Sequence, residues 1–182
     1  MVYVALLRGI NVGGKSKVSM AGLKASFESA GCEAVSTYIN SGNVIFGDER
    51  PAKELFPLIE EAIFKDFGFK VPVVIRTLDN INHLCQKIPK SWTNDSEQKT
   101  DILFLWDEID NPDITTKIVI NSKLENVLYL PGALVWNIGR DNVTKGSGIK
   151  LIKSDIYRQM TARNINTVRK LHELMTAADV RK

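Results

Sequence analysis

The stretch VYVALLRGINVGGKSKVS, residues 2–19, places an apolar strand, a glycine-rich basic loop and a helix start directly after one another. Residues 2–7 are all apolar or aromatic, which is typical of a buried strand. Ser19 stands where a helix N-cap is expected. Loops between a strand and a helix bind anions when backbone N–H groups converge, glycines admit the ligand and lysines supply charge. The stretch therefore predicts an anionic ligand and indicates no particular reaction.

The elements that follow complete a common supersecondary plan. Hydrophobic periodicity and Gly/Pro punctuation assign strands to residues 2–8, 35–39, 44–46 and 71–75, and helices to residues 19–31 and 51–68. Asn40-Ser41-Gly42-Asn43 separates the two middle strands and is a hairpin signal. Pro72, near the start of the last strand, suits a sheet edge. The order β-α-β-β-α-β predicts the split βαβ, or ferredoxin-like, plan.

The second half repeats part of this order. A helix over residues 78–88 leads into a polar segment, residues 89–100, which is the best linker candidate. Beyond it the pattern predicts strands over 102–106, 125–130 and 133–138, and helices starting at Asn111-Pro112, over 149–156 and over 165–175. The last helix stands where the first half has its fourth strand. The predicted domains are residues 1–88, a ferredoxin-like subdomain with a linking helix, and residues 101–182, an α+β subdomain with a terminal helix.

Composition excludes several classes of protein. The 182 residues are 44% hydrophobic and 25% charged, the balance of a globular protein. No apolar run reaches the roughly 18–20 residues of a membrane span, and the N-terminus lacks a signal-peptide plan, so we expect a cytoplasmic protein with no membrane partner. Cys32 and Cys85 are not spaced as metal ligands, and only two histidines accompany them. We expect two free thiols and no metal site.

The net charge of +3 is distributed unevenly. Residues 8–24 hold four basic and no acidic side chains, and residues 139–170 hold eight basic and two acidic ones. Residues 91–138 hold three basic and eight acidic side chains. If folding joins the two basic segments, they create one positive field for an anion; otherwise they are two solvated faces.

Three motifs connect the chain to a known family. They are ALLRGINVGGK (residues 5–15), TYINSGNVIF (residues 37–46) and TARNINTV (residues 161–168). Together they resemble the bacterial family called domain of unknown function 1697, and the resemblance spans nearly the whole chain. It implies an α+β fold of two ferredoxin-like subdomains, with antiparallel sheets, helices packed on one face and an extra C-terminal helix. It implies no activity, since the family has none assigned, and function has to be inferred from the residues.

The glycine-rich loop is the first candidate site. Residues 9–16 match the Walker A sequence pattern. A true P-loop also needs a long helix that begins at its lysine, within a parallel βαβ unit. Here the helix cap is Ser19, so nucleotide hydrolysis is disfavoured. Two interpretations stay open: the loop binds a phosphate or nucleic-acid backbone, or it is a solvated connection. Its candidate ligand-binding residues are Arg8, Asn11, Lys15 and Lys17.

The hairpin turn is the second candidate. If the turn and the glycine-rich loop lie at the same rim of the sheet, the turn brings Asn40, Ser41 and Asn43 close to the loop. The structural alternative is a tight turn built from residues that tolerate positive φ.

A third candidate lies near the C-terminus. Arg163 and Asn164 surround the predicted start of the last helix, and Lys150 follows the basic Gly-Ser-Gly loop of residues 145–148. A helix N-terminus with Arg163 can hold an anion. Alternatively Asn164 is an N-cap and the arginines are solvated.

These observations favour a binding protein whose partner is a phosphate-containing small molecule or nucleic acid. An enzyme acting on a phosphate ester or nucleotide is an alternative, but no general base, other catalytic residue or cofactor is identifiable, so whether the protein is an enzyme stays open. A self-associating protein that uses a sheet edge is another alternative. Oligomeric state is left open.

Overall fold

The computed structural model describes residues 1–13 and 16–180. It contains eight strands and five α-helices within those residues, in an α+β arrangement. The strands are β1 (Val2–Leu7), β2 (Glu33–Tyr38), β3 (Asn43–Gly47), β4 (Val73–Thr77), β5 (Gln98–Leu105), β6 (Glu125–Leu130), β7 (Ala133–Gly139) and β8 (Met160–Asn164). The α-helices are α1 (Met20–Ser29), α2 (Ala52–Phe67), α3 (Leu78–Lys87), α4 (Gly148–Ile152) and α5 (Ile165–Asp179).

Contacts divide the chain into two compact units. The first comprises residues 1–81 and those from 171 onward, and the second comprises residues 82–170. The division falls within α3 and α5. The domain boundaries expected from the sequence, 1–88 and 101–182, stay a prediction. None of the helices in the described residues combines the length and the apolarity that crossing a membrane requires.

The first unit has the predicted ferredoxin-like sheet. Its strand order is β2-β3-β1-β4, with antiparallel pairing throughout. Strand β1 is central because all six of its residues are apolar or aromatic and fully buried. Strand β4 occupies an edge, where the preceding Pro72 removes no ladder hydrogen bond.

Helices α1 and α2 cover one face of this sheet. Ser19 caps α1 by accepting a hydrogen bond from the Gly22 N–H, and Gly68 ends α2 in the left-handed conformation, both as predicted. The Phe46 ring stacks on Tyr3 and meets Phe27 edge-on, with ring centroids 5.5 and 5.3 Å apart. The core therefore fixes β1, and with it the start of the loop at Arg8.

The second unit has the same sheet topology, with order β6-β7-β5-β8. The prediction that a helix replaces its last strand is wrong, because Met160–Asn164 pairs antiparallel with β5, from Leu105↔Met160 to Asp101↔Asn164. This strand reads MTARN, which has only two apolar residues and is too short for a clear strand pattern, and its pairing with β5 defines it.

Two predicted helices of the second unit are also wrong. The segment that starts at Asn111-Pro112 forms only a 3₁₀ helix, Pro112–Thr116, whose Asn111 makes no side-chain cap. Residues 149–156 divide between the one-turn α4 and a 3₁₀ helix, Asp155–Gln159. Nucleating a helix is costly, so short segments without caps stop after about one turn. One face of the second sheet is therefore covered by short segments, where the first sheet has two longer helices.

The buried Asp48 makes the stability of the first unit depend on pH. Arg50 donates from Nε and Nη2 to the Asp48 carboxylate at 2.9 and 2.6 Å, and this pairing lowers the Asp48 pKa to about 2. A lowered pKa stabilises the fold above the unfolded value of 3.8, and that stabilisation is lost as pH falls toward 2. We expect a loss of roughly 1–2 kcal/mol over that range, because Arg50 is partly exposed. Urea unfolding at pH 5, 4, 3 and 2.5 measures it.

The matched variant for this prediction is Asp48→Asn. Its unfolding free energy should be lower at pH 5 and should fall less steeply on acidification than that of the wild type. Glu49→Gln, an exposed neighbouring change, should keep the wild-type slope. A slope unchanged in Asp48→Asn would contradict the assignment.

Candidate functional site

The loop after β1 is closed at its base by one side chain. The Asn11 N–H donates to the Ser16 carbonyl at 3.1 Å. The Asn11 side-chain Nδ2 donates to the Val18 carbonyl, and its Oδ1 accepts from the Val18 N–H, both at 2.9 Å. Asn11 therefore holds the two arms of the loop together, and Val12, Gly13 and Lys17 between them are exposed. Lys15, a candidate residue of the same stretch of sequence, lies outside the described residues.

The backbone of this loop repeatedly adopts the left-handed conformation. Gly9 and Gly13 have φ of 74° and 60°, which glycine adopts freely. Asn11 and Ser16 have φ of 55° and 51°, and for a residue with a Cβ this costs about 1 kcal/mol, somewhat less for Asn. Such strain persists only where the surroundings impose it and is concentrated at functional sites. Here the hydrogen bonds of Asn11 to Ser16 and Val18, which we call the Asn11 clasp, impose the strained conformation.

The hairpin turn lies against the loop. Asn11 Nδ2 also donates to the Asn40 carbonyl at 3.0 Å, and the Leu7 N–H donates to the Gly42 carbonyl at 2.8 Å. Gly42 packs so closely that a Cβ on it would lie 2.6 Å from Ile10 Cδ1 and 2.8 Å from Leu7 Cβ. Residues 8–13, 16–18 and 40–43 thus form one continuous surface, which we call the loop–turn surface.

The polar side chains of this surface differ in their availability. Lys17, Asn40 and Ser41 are exposed, and Arg8 is half-buried. Asn43 is fully buried, and its Nδ2 donates to the Tyr38 carbonyl at 2.9 Å and to Ser41 Oγ at 3.0 Å. Its side chain therefore holds the turn, whereas the exposed groups can meet a ligand.

The candidate residues of the second unit lie on separate elements. Lys150 is exposed on α4. Arg163 is on strand β8, 8% exposed, and burial lowers its pKa to about 10. Its Nη1 donates to the Ala162 carbonyl at 2.8 Å and to Thr161 Oγ1 at 3.1 Å. Arg163 therefore lies in the strand that leads directly into α5, and the expectation of a solvated arginine is wrong for Arg163 because its side chain is buried. Asn164 is the cap of α5, since its Oδ1 accepts from the Thr167 N–H at 2.9 Å.

A cleft in the second unit was not foreseen from the sequence. It has a volume of about 110 Å³ and lies on the sheet face that the short helices cover. Trp136, Tyr157 and Leu151 line it, together with the Lys99–Asp101 ion pair. The sequence signal near it is the Gly-Ser-Gly loop of residues 146–148, whose composition predicts a flexible basic connection. The structure instead fixes this loop, because the buried Glu125 accepts from the Ser147 N–H.

Thiol and metal chemistry find no support in the described part of the chain. Burial raises the pKa of the Cys32 thiol to about 11, with a further contribution from Asp48, and burial also raises that of Cys85. Thiols with raised pKa values are poor nucleophiles at neutral pH. No three His, Cys, Asp or Glu side chains cluster as metal ligands within residues 1–13 and 16–180.

Comparison with known proteins agrees with the motifs. The model of a family described as "Protein of unknown function (DUF1697)" matches residues 1–136. The chain is also similar to a solved structure, that of the conserved bacterial protein SP0830 from Streptococcus pneumoniae. The two are 27% identical, the match covers 96% of this chain and 98% of that one, and the TM-score is 0.82. No curated protein matches the chain significantly. The chain belongs to the DUF1697 family of proteins of unknown function.

Proposed function

We propose that this protein binds a phosphate-bearing ligand, a small molecule or a nucleic-acid backbone, at the loop–turn surface. The observation that carries the proposal is the Asn11 clasp. It holds a basic, glycine-rich loop in a strained conformation against the turn through the Val18 and Asn40 carbonyls. A preorganised loop of this kind loses little conformational entropy on binding.

The charges around the loop support an anionic ligand. Arg8 and Lys17 belong to the loop–turn surface, and residues 8–24 contain no acidic side chain that would neutralise them. Glycines at 9 and 13 leave room on the loop, since a Cβ at either position would meet no atom within 4 Å. A ligand phosphate can therefore approach the backbone closely, and the exposed Lys17 supplies positive charge on the same surface.

The candidate residues of the second unit lend the proposal less support. Lys150 offers an exposed charge, but Arg163 is buried and Asn164 caps a helix. We infer a cytoplasmic location, which the two free cysteines Cys32 and Cys85 suit.

Binding of defined anions tests the proposal. Inorganic phosphate, pyrophosphate and a single-stranded oligothymidylate are titrated into the protein at 50 and 200 mM salt, with the Asn11 side-chain amide NMR signal as the local readout. We expect this signal to shift saturably and the affinity to fall with salt. Lys15→Gln with Lys17→Gln should weaken binding about fivefold to tenfold, and should lower the salt slope for the oligonucleotide by about 2.

The control has the same loss of charge elsewhere in the first unit. Lys53→Gln with Lys65→Gln removes two exposed lysines of α2 and should leave the affinity nearly unchanged. Equal losses in both double variants would show a general charge effect and reject the site. An Asn11 signal unmoved by all three probes at 50 mM salt would reject the proposal. A response to pyrophosphate but not to the oligonucleotide would identify a small phosphorylated ligand.

A further inference from the structure

The second-unit cleft exists because that unit lacks long helices over its sheet. In the first unit, α1 and α2 supply Leu23, Phe27, Leu55 and Ile59 to fill this face. In the second unit, the corresponding face is covered by the 3₁₀ segments and by the five residues of α4. Short segments cannot cover the whole face, and the side chains of β7 line the cleft that results. The cleft therefore results from the fold of this unit.

The interior of the cleft is mostly apolar and partly aromatic. The cleft is lined by the Trp136 indole and the Tyr157 ring and by the aliphatic side chains of Ile138 and Leu151. Ala162 on β8 also lines it, and its small side chain leaves space. Aromatic and aliphatic walls with few polar groups are the usual lining of a small-molecule site. Such a lining selects an apolar body, preferably a flat ring that can stack on the indole.

The polar groups at the cleft differ in whether they are already engaged within the protein. Lys99 Nζ lies 3.0 Å from Asp101 Oδ2, and both side chains are partly exposed. The Glu125 carboxylate is already engaged, since its two oxygens accept from the Ser147 and Asn121 N–H groups. The Lys99 ammonium, which has three protons to donate, can therefore bind a second anion beside Asp101.

The outer rim adds positive charge and apolar surface. On α4, Ile149 and Ile152 line the cleft and are 47% and 58% exposed. Lys150 and Lys153 are exposed on the same turn, and in the part of the chain that the structure describes neither forms an ion pair. The rim at α4 therefore adds two lysine charges beside the exposed isoleucines.

We propose that the second-unit cleft binds a small carboxylate whose apolar part is an aromatic ring or a branched chain. The ring enters between Trp136, Leu151 and Ala162, and the carboxylate lies at the rim, within reach of Lys99. The volume of about 110 Å³ is somewhat below that of the engineered apolar cavity of about 150 Å³ that holds benzene. It admits one ring or one branched fragment, and the rest of the ligand stays at the surface. This site is independent of the loop–turn surface.

The test uses the full chain and a matched pair of probes. 3-Phenylpropionate and 3-phenylpropionamide share the ring and differ in the charge, and acetate carries the charge without the ring. The indole N–H signal of Trp136 is the readout, assigned by its loss in Trp136→Phe. We expect 3-phenylpropionate to shift this signal saturably. The amide should bind about tenfold more weakly, and acetate should leave the signal unmoved.

Two variants separate the ring from the charge. Ala162→Phe fills the cleft and should abolish the response, and Lys99→Gln should weaken 3-phenylpropionate about tenfold while leaving the amide unchanged. Lys117→Gln removes an exposed lysine that does not line the cleft and should have no effect. An unmoved Trp136 signal would overturn the proposal, as would equal binding of acid and amide. Because Lys99→Gln changes a partly exposed residue, it tests the proposal even if Ala162→Phe misfolds.

Discussion

Gly42→Ala is expected to lower the free energy of unfolding by about 3 kcal/mol. Two costs add at this position. With φ of 75°, any residue with a Cβ is strained by about 1 kcal/mol. The new methyl would also lie 2.8 Å from Leu7 Cβ and 2.6 Å from Ile10 Cδ1, and overpacking of this kind costs about 1–3 kcal/mol. The Ile10 side chain can turn away, but Leu7 Cβ cannot, because β1 is held between two strands.

Gly68→Ala separates the two costs. Gly68 has nearly the same φ, 76°, but a Cβ there would meet no atom within 4 Å. We expect this variant to lose only about 1 kcal/mol, the backbone cost. Urea unfolding of both variants gives the steric cost at Gly42 as the difference. Equal losses would mean that the turn can move away from the loop. If the turn and the loop form one rigid surface, Gly42→Ala should also weaken phosphate binding, whereas Gly68→Ala should not.

The first unit could be predicted well because its signals are local. Ser19 as a cap, Gly68 as a helix end and the apolar residues of β1 each specify structure within a few positions. The turn signal at residues 40–43 also indicated that β2 and β3 pair as a hairpin, and the ferredoxin-like plan followed from the order of the elements. What the sequence did not show is the role of Asn11. Its hydrogen bonds to Val18 and Asn40 join residues that only the folded chain brings together.

The second unit was harder to predict because its elements depend on tertiary contacts. Strand β8 reads MTARN, which has neither β-branched alternation nor an apolar run, and pairing with β5 makes it a strand. The burial of Arg163 could not be foreseen for the same reason, since most arginines are exposed. The cleft depends on which segments cover the sheet face around Trp136, and no local sequence pattern predicts that.

The second large effect is expected at Glu125, which holds the Gly-Ser-Gly loop in place. Glu125 is 4% exposed, and its two oxygens accept from the Ser147 and Asn121 N–H groups. Glu125→Ala removes both acceptors, and the N–H of Ser147, itself 5% exposed, loses its partner. Hydrogen bonds to a charged group contribute about 1.5–3 kcal/mol each, and burial of the orphaned N–H adds to the loss. We expect the free energy of unfolding to fall by about 3–5 kcal/mol, measured by urea unfolding.

Variants at position 125 distinguish this hydrogen bonding from a loss of packing. Glu125→Gln keeps the shape and one acceptor oxygen, so it should cost about half as much, whereas a packing effect would leave Gln equal to wild type. Glu108→Ala, an exposed change in the same unit, should stay within about 0.5 kcal/mol of wild type. Because Ser147 immediately precedes α4, its release should also free the helix whose isoleucines line the cleft. Glu125→Ala should therefore weaken 3-phenylpropionate binding at Trp136 under conditions where circular dichroism shows the protein still folded, and unchanged binding would mean that α4 is positioned by the sheet alone.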